Sequence, residues 1–278
     1  MTDSVVTRHG SMAVERTGTG PPVLLLHGVP GSRRSWADVV PLLADDAAVV
    51  VPDLLGFGDS ARPSDLRTLH AQGQAEALLD VLDALALDRA AVVGHDFGGP
   101  VALRLLALAP ERVSRLGLLA TNAFTDTPIP PPLNLVRWPI VGGIAARVLM
   151  SGPALRMMLR TGAGPGARLA ADAYLGDADQ QRSIRTIFAG SLRDLPGLYG
   201  PVQEAIENAH VPGFVAWGDR DPFFPVAVGR RTADALGAPF LLLPGAGHFL
   251  PAERPGDVAI AVRDLLAVEP LDQTPLPT

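Results

Sequence analysis

Residues 90–106 read AAVVGHDFGGPVALRLL, and the order of residue types in this stretch decides the architecture. Ala91, Val92 and Val93 form the short apolar run of a buried strand, and from Val101 to residue 108 apolar side chains recur at helical spacing. Between the two lies a short link carrying Gly94, Gly98 and Gly99, which reads as a sharp turn. Glycine at 94 and 98 lets the backbone fold back steeply, so the residue midway between them is pushed out at the carboxyl edge of the sheet. That residue is Asp96.

Composition bounds what such a turn can do. A chain of 278 residues with 47% hydrophobic content is enough for one layered α/β unit with an insertion. The net charge is −6 and no basic cluster exceeds the pair Arg33 and Arg34, so no nucleic-acid footprint is expected. There is no cysteine, which removes disulfides, thiolate catalysis and Cys-based metal sites, and no lysine, which removes Schiff-base chemistry. No two of the six histidines show metal-ligand spacing, and neither a metal nor a cofactor is expected. No signal-type apolar run precedes Arg8 and His9, and no run reaches about 18 uncharged apolar residues. The expectation is a soluble, cytoplasmic protein with a small-molecule partner, no nucleic-acid or membrane partner, and nothing opposed to a homodimer.

In chain order, residues 5–8 and 12–16 read as two strands of a hairpin turning at Gly10-Ser11. A buried strand over 22–26 runs into His27-Gly28-Val29-Pro30-Gly31, followed by a short helix over 35–43 and a strand over 47–51. The loop 52–60 carries Asp53 and Asp59, whose carboxylates are expected to tie the loop to its own backbone N–H groups. A long amphipathic helix over 69–87 feeds the 91–93 strand, and a further strand over 113–120 ends at Thr121-Asn122. A proline-rich connector over 127–132 then opens a stretch, 133–209, of short helical patterns with little strand character. Buried-strand pattern returns at 211–217, followed by Gly218-Asp219-Arg220-Asp221-Pro222, a helix over 226–236, a strand over 240–243, Gly245-Ala246-Gly247-His248 and a last helix over 253–268. The tail 270–278 reads as disordered.

Gly94-x-Asp96-x-Gly98 resembles the nucleophile elbow of the α/β hydrolases, with Asp where esterases and lipases carry Ser. With its flanking His95, Phe97 and Gly99 it is similar to the elbow of the epoxide hydrolases and haloalkane dehalogenases, the aspartate-nucleophile branch, and the resemblance extends over residues 20–268. It implies an α/β-hydrolase fold: a mostly parallel central sheet flanked by helices, with core segments 1–122 and 211–268, an inserted helical cap over 123–210 and a tail over 269–278. It further implies a triad of Asp96, Asp221 and His248, each just after a strand and so at one edge of the sheet. Asp219 competes for the acid role, but Gly-x-x-Asp over 218–221 favours Asp221. Asn122 stands where some dehalogenases carry the acid, and an amide holds no negative charge. The His-Gly-x-Pro turn at 27–30 is similar to the one supplying half of an oxyanion hole in this branch, which implies Val29 and Phe97 N–H as the pair. His27 and His95 are read as structural, and His9, His70 and His210 as surface or loop residues.

A carboxylate nucleophile, with a usual pKa near ~4, is ionised at neutral pH and can attack a saturated carbon to give an ester that His248 then hydrolyses through water. The leaving group follows from the neighbours. Haloalkane dehalogenases place Trp after the nucleophile and fluoroacetate-type enzymes place arginines there; this chain has Phe97 and Pro100. Epoxide hydrolases use acidic donors from the cap, usually two Tyr. Tyr199, 22 residues before Asp221, lies near the second of these positions, and Trp138, 42 residues after Asp96, lies near the first, with Tyr174 as the remaining Tyr. The implied activity is conversion of a small epoxide to a vicinal diol; the alternatives are a haloalkane-type dehalogenase and a non-catalytic binding homologue.

Overall fold

The computed structural model describes residues 2–129, 131–154, 157, 167 and 178–269, without the Ser191 side chain. In chain order the strands are β1 (Thr2–Thr7), β2 (Gly10–Thr17), β3 (Pro22–Leu26), β4 (Ala48–Pro52), β5 (Ala90–His95), β6 (Val113–Leu119), β7 (Gly213–Gly218) and β8 (Phe240–Leu243). They make one sheet in the order β1-β2-β4-β3-β5-β6-β7-β8. β1 and β2 pair antiparallel with their neighbours, and every pairing from β4 to β8 is parallel. β5 is buried along its whole length, as a central parallel strand covered on both faces must be, which is why its sequence is a continuous apolar run.

The two faces divide the core by alternation along the strands. Leu24, Leu26 and Val92 pack on one side with helices α2 (Ala71–Ala84) and α3 (Gly98–Leu108). Val23, Leu25, Ala91 and Val93 pack on the other with Trp36, Leu43 of α1 (Val40–Leu43) and the final helix. Between β6 and β7 the described residues form a 3-10 helix (Leu133–Arg137), α4 (Gly142–Leu149), α5 (Ala178–Arg193) and α6 (Leu195–Glu207). Val202 and Ile206 of α6 join the core cluster of α3. α7 (Val226–Leu236), the short α8 (Leu250–Glu253) and α9 (Pro255–Ala267) complete the chain. Among the described residues no helix is long and apolar enough to cross a membrane.

Several boundaries differ from the sequence reading. The first hairpin turns at Arg8-His9, because Thr7 pairs directly with Gly10, which opens β2 at φ +129°. Arg8 fastens this turn to α2 through Asp80, its backbone N–H donating at 2.8 Å and its guanidinium pairing at 2.6 Å. The helix expected over 35–43 is split into a 3-10 turn (Arg33–Trp36) and α1, where Pro41 in the first turn lacks the N–H that would join the two. The helix expected over 69–87 is α2, bounded by extended His70 and by Ala86 at φ +52°. The last helix is interrupted before Pro255 for the same reason as at Pro41. The tail 270–278 and Tyr174 lie outside the described residues.

Candidate active site

Asp96 sits where β5 stops and α3 begins, with φ +51°, a left-handed conformation uncommon for any residue with a Cβ, though less so for Asn and Asp. The strain is held from several sides. The Asp96 N–H donates to the Leu119 carbonyl at 3.1 Å, and its own carbonyl accepts from Gly99 N–H at 3.0 Å and Thr121 Oγ1 at 2.6 Å. A Cβ at Gly98 would strike the Leu26 carbonyl, so glycine there lets α3 seat against the end of β3. Asp96 Oδ1 accepts the Val29 N–H at 2.7 Å, and a Cβ at Gly28 would lie 2.5 Å from Asp96 Cβ. The two expected backbone donors thus flank Asp96: Val29 N–H is already on the carboxylate, and Phe97 is the N-cap of α3, whose N–H has no intrahelical acceptor.

β7 and β8 deliver the other two. His248 Nδ1 is 2.9 Å from Asp221 Oδ2, and its Nε2 is 3.5 Å from Asp96 Oδ2. Asp221 Oδ1 meanwhile accepts the Phe223 and Phe224 N–H groups at 2.8 and 3.0 Å, so this carboxylate is oriented by its own turn. Asp219, the competing acid, instead accepts Gly245 N–H at 2.7 Å. Burial opposes charge on His248, but the neighbouring Asp221 and Asp96 carboxylates overcome it and push the imidazole up to about 10. Burial likewise opposes the Asp96 charge, and contact with His248 together with the Val29 N–H holds its carboxyl below the usual range. The resting pair is therefore carboxylate and imidazolium.

Glu253, without a role in the sequence reading, and His95 hold His248. Glu253 accepts Gly247 N–H at 2.7 Å and Phe249 N–H at 2.9 Å, one on each side of the histidine. In sequence it is an acid near the start of a helix, indistinguishable from an ordinary first-turn carboxylate. His95 Nε2 lies 2.9 Å from the His248 carbonyl; burial and the His248 charge lower its pKa to about 4, so the ring is neutral and donates this bond. The structural reading of His95 and His27 agrees with these contacts: His27 Nε2 accepts the Leu54 N–H at 3.0 Å and Nδ1 lies 2.8 Å from the Gly28 carbonyl. Asp53, fully buried, accepts Arg33 N–H at 2.7 Å and Asp59 N–H at 2.8 Å and pairs with the Arg33 guanidinium.

Asp96 and His248 open into a cavity of about 140 Å³. Its walls are mainly apolar, from Pro30, Ile129, Leu133, Phe188, Leu195 and Phe223, and the polar groups are few: Asp96, His248, Asn122, Thr127 and Tyr199. Among the described residues no arginine lines it, and the His248 imidazolium already faces the Asp96 and Asp221 carboxylates, which favours an uncharged substrate. Tyr199 reaches the cavity from α6; burial and the Asp96 charge push its phenol above the usual range, while the Asn122 amide works the other way. Trp138 does not join this group. It is 62% exposed, follows the 3-10 helix on the outer surface and is absent from the cavity wall. Its spacing from Asp96 suggests a donor position, but the chain turns that side chain to solvent. Among the described residues no cluster suited to a metal ion occurs.

A parallel sheet with an antiparallel edge, helices on both faces and the Asp96 turn at the carboxyl edge define an α/β-hydrolase fold, and residues 21–143 match the family described as alpha/beta hydrolase fold. Epoxide hydrolase A of Mycobacterium tuberculosis is 28% identical, over 91% of this chain and 92% of its own. Haloalkane dehalogenase 2 of Mycobacterium bovis is 29% identical, over 88% of this chain and 87% of its own. The solved epoxide hydrolase CorEH superposes with a TM-score of 0.78 at 22% identity, over 96% of this chain and 98% of that one, a likeness of fold.

Proposed function

We propose that this chain hydrolyses small, uncharged, apolar epoxides to vicinal diols through an ester on Asp96. The observation that carries the reading is that the carboxylate of Asp96, the imidazolium of His248 and the phenol of Tyr199 face one apolar cavity. Oδ1 of Asp96 is occupied by the Val29 N–H, which leaves Oδ2 to attack an oxirane carbon. As the C–O bond breaks, Tyr199 protonates the departing oxygen, and the proton is replaced from the His248 imidazolium. Esterification also removes the Asp96 charge that held this proton, so His248 becomes neutral and competent as a base. It then takes a proton from water, which attacks the ester carbonyl; the oxyanion forms on Oδ1, facing Val29 and Phe97 N–H. Collapse releases the diol, with one water proton on its hydroxyl and the other on His248, restoring the resting pair. The inserted helical segment, including α5 and α6, acts as a cap that carries Tyr199 and closes the apolar wall. The dehalogenase reading is disfavoured by Phe97, which offers no side-chain donor to a halide.

Single turnover in heavy-oxygen water tests the route. The solvent atom is expected in Asp96 and the unlabelled carboxylate oxygen in the diol; label appearing directly in the first-turnover diol would mean that Asp96 activates water, and would overturn the ester mechanism.

A further inference from the structure

α4 is apolar on two faces and uses only one. Gly142, Ala146 and Met150, at i, i+4 and i+8, turn inward and are buried, whereas Ile144 and Val148 on the opposite side are 69% and 59% exposed. The preceding turn continues this outer face with Trp138 and with Ile140, which is 91% exposed. Large apolar side chains clustered on a surface mark a contact of some kind. The charges along this stretch of sequence say which. Between residues 127 and 171 there are five arginines (137, 147, 156, 160, 168) and no Asp or Glu, in a chain whose net charge is −6, so the negative balance lies entirely elsewhere. Arg137 and Arg147 are exposed within the apolar patch itself.

We propose that this face, from Leu135 to Val148, docks on an anionic phospholipid bilayer, lying in the interface without crossing it. An exposed indole, branched aliphatic side chains and flanking arginines without acids are the combination that such a surface holds: the apolar groups enter the acyl boundary while the guanidinium heads meet lipid phosphates. A second copy of the chain is a poorer occupant, because a two-fold contact through this patch would set arginine against arginine. Leu133, in the same 3-10 helix, lines the active-site cavity, so a lipid-dissolved apolar reactant would reach the site from the docked side. The lack of a long apolar run in the sequence bears on crossing a bilayer, not on lying in its interface.

The protein carries its own reporter, since Trp36 and Trp217 are fully buried and Trp138 is the exposed indole. Full-length protein is titrated with vesicles of phosphatidylcholine alone and of phosphatidylcholine with phosphatidylglycerol, reading tryptophan emission and co-sedimentation. Phosphatidylglycerol vesicles are expected to shift emission to the blue and to sediment the protein, less so as salt rises. Arg137→Gln with Arg147→Gln should weaken this by about 30-fold, roughly five-fold per charge. Ile140→Ser with Ile144→Ser should abolish it while leaving the thermal melt unchanged. The proposal is overturned if the wild-type protein ignores phosphatidylglycerol vesicles, if binding is equal on phosphatidylcholine alone, if binding survives both double variants, or if Trp138 is quenched or blue-shifted by concentration-dependent dimerisation without lipid.

Discussion

Nε2 of His248 stops 3.5 Å from Oδ2 of Asp96, whereas its Nδ1 is within hydrogen-bond distance of Asp221 at 2.9 Å. The imidazole is thus anchored on its acid side and stands off from the carboxylate that would carry the ester. In the proposed route the duties separate: His248 serves alkylation only by returning a proton to Tyr199 afterwards, whereas the ester can be cleared only with it.

His248→Gln is therefore expected to trap substrate on the protein. Intact mass should rise by one substrate equivalent, and peptide mapping should find the addition on the fragment that contains Asp96. If no epoxide turned over by the wild-type protein leaves an adduct, the two-step route is wrong.

Tyr199→Phe should slow alkylation of Asp96 by roughly 10²-fold, the scale of a lost acid catalyst, and leave ester hydrolysis nearly unchanged in pre-steady-state kinetics. Trp138→Phe should have little effect on either step, because that ring faces solvent and not the cavity. A Tyr199→Phe protein with near-normal epoxide turnover would remove the phenol from the mechanism.

The Asp96–His248 pair also makes stability depend on pH. The imidazole is raised from 6.5 to about 10 by its two carboxylates, so the stabilisation is complete below pH 6.5 and is lost as pH rises toward 10. In Asp96→Asn one carboxylate is gone, the folded-state pKa falls, and the alkaline decline in melting temperature should shrink. Identical declines in the two proteins across this window would mean that Asp96 does not hold the proton on His248.

Glu253→Ala should act on the rate more than on binding. Removing its carboxylate leaves the Gly247 and Phe249 N–H groups without their acceptor, a cost of about 1–3 kcal/mol where such groups are buried, and frees the backbone on both sides of His248. The expected signature is a lower kcat with KM nearly constant and partial recovery in Glu253→Gln, which can still accept one of the two bonds. A raised KM with normal kcat would mean that Glu253 shapes the cavity and does not position the histidine.

The eight strands, the turn at Asp96 and the chain order of Asp96, Asp221 and His248 are legible in the sequence because each is announced by local signals: short apolar runs, glycines where the backbone must approach itself, and acids or histidine just beyond a strand end. In a parallel sheet such ends share one edge, so the order in sequence already implies proximity in space. What the sequence alone could not decide is which way a side chain faces when its neighbours come from distant segments. Spacing alone puts both Tyr199 and Trp138 near donor positions, and only the tertiary structure, with α6 packed against α3, turns the first to the cavity and leaves the second outside. Glu253 became visible as the brace of His248 only when its carboxylate met two N–H groups across a loop. The unused outer face of α4 likewise needed tertiary structure, because a helix with apolar residues on more than one side does not say which side its own core will cover.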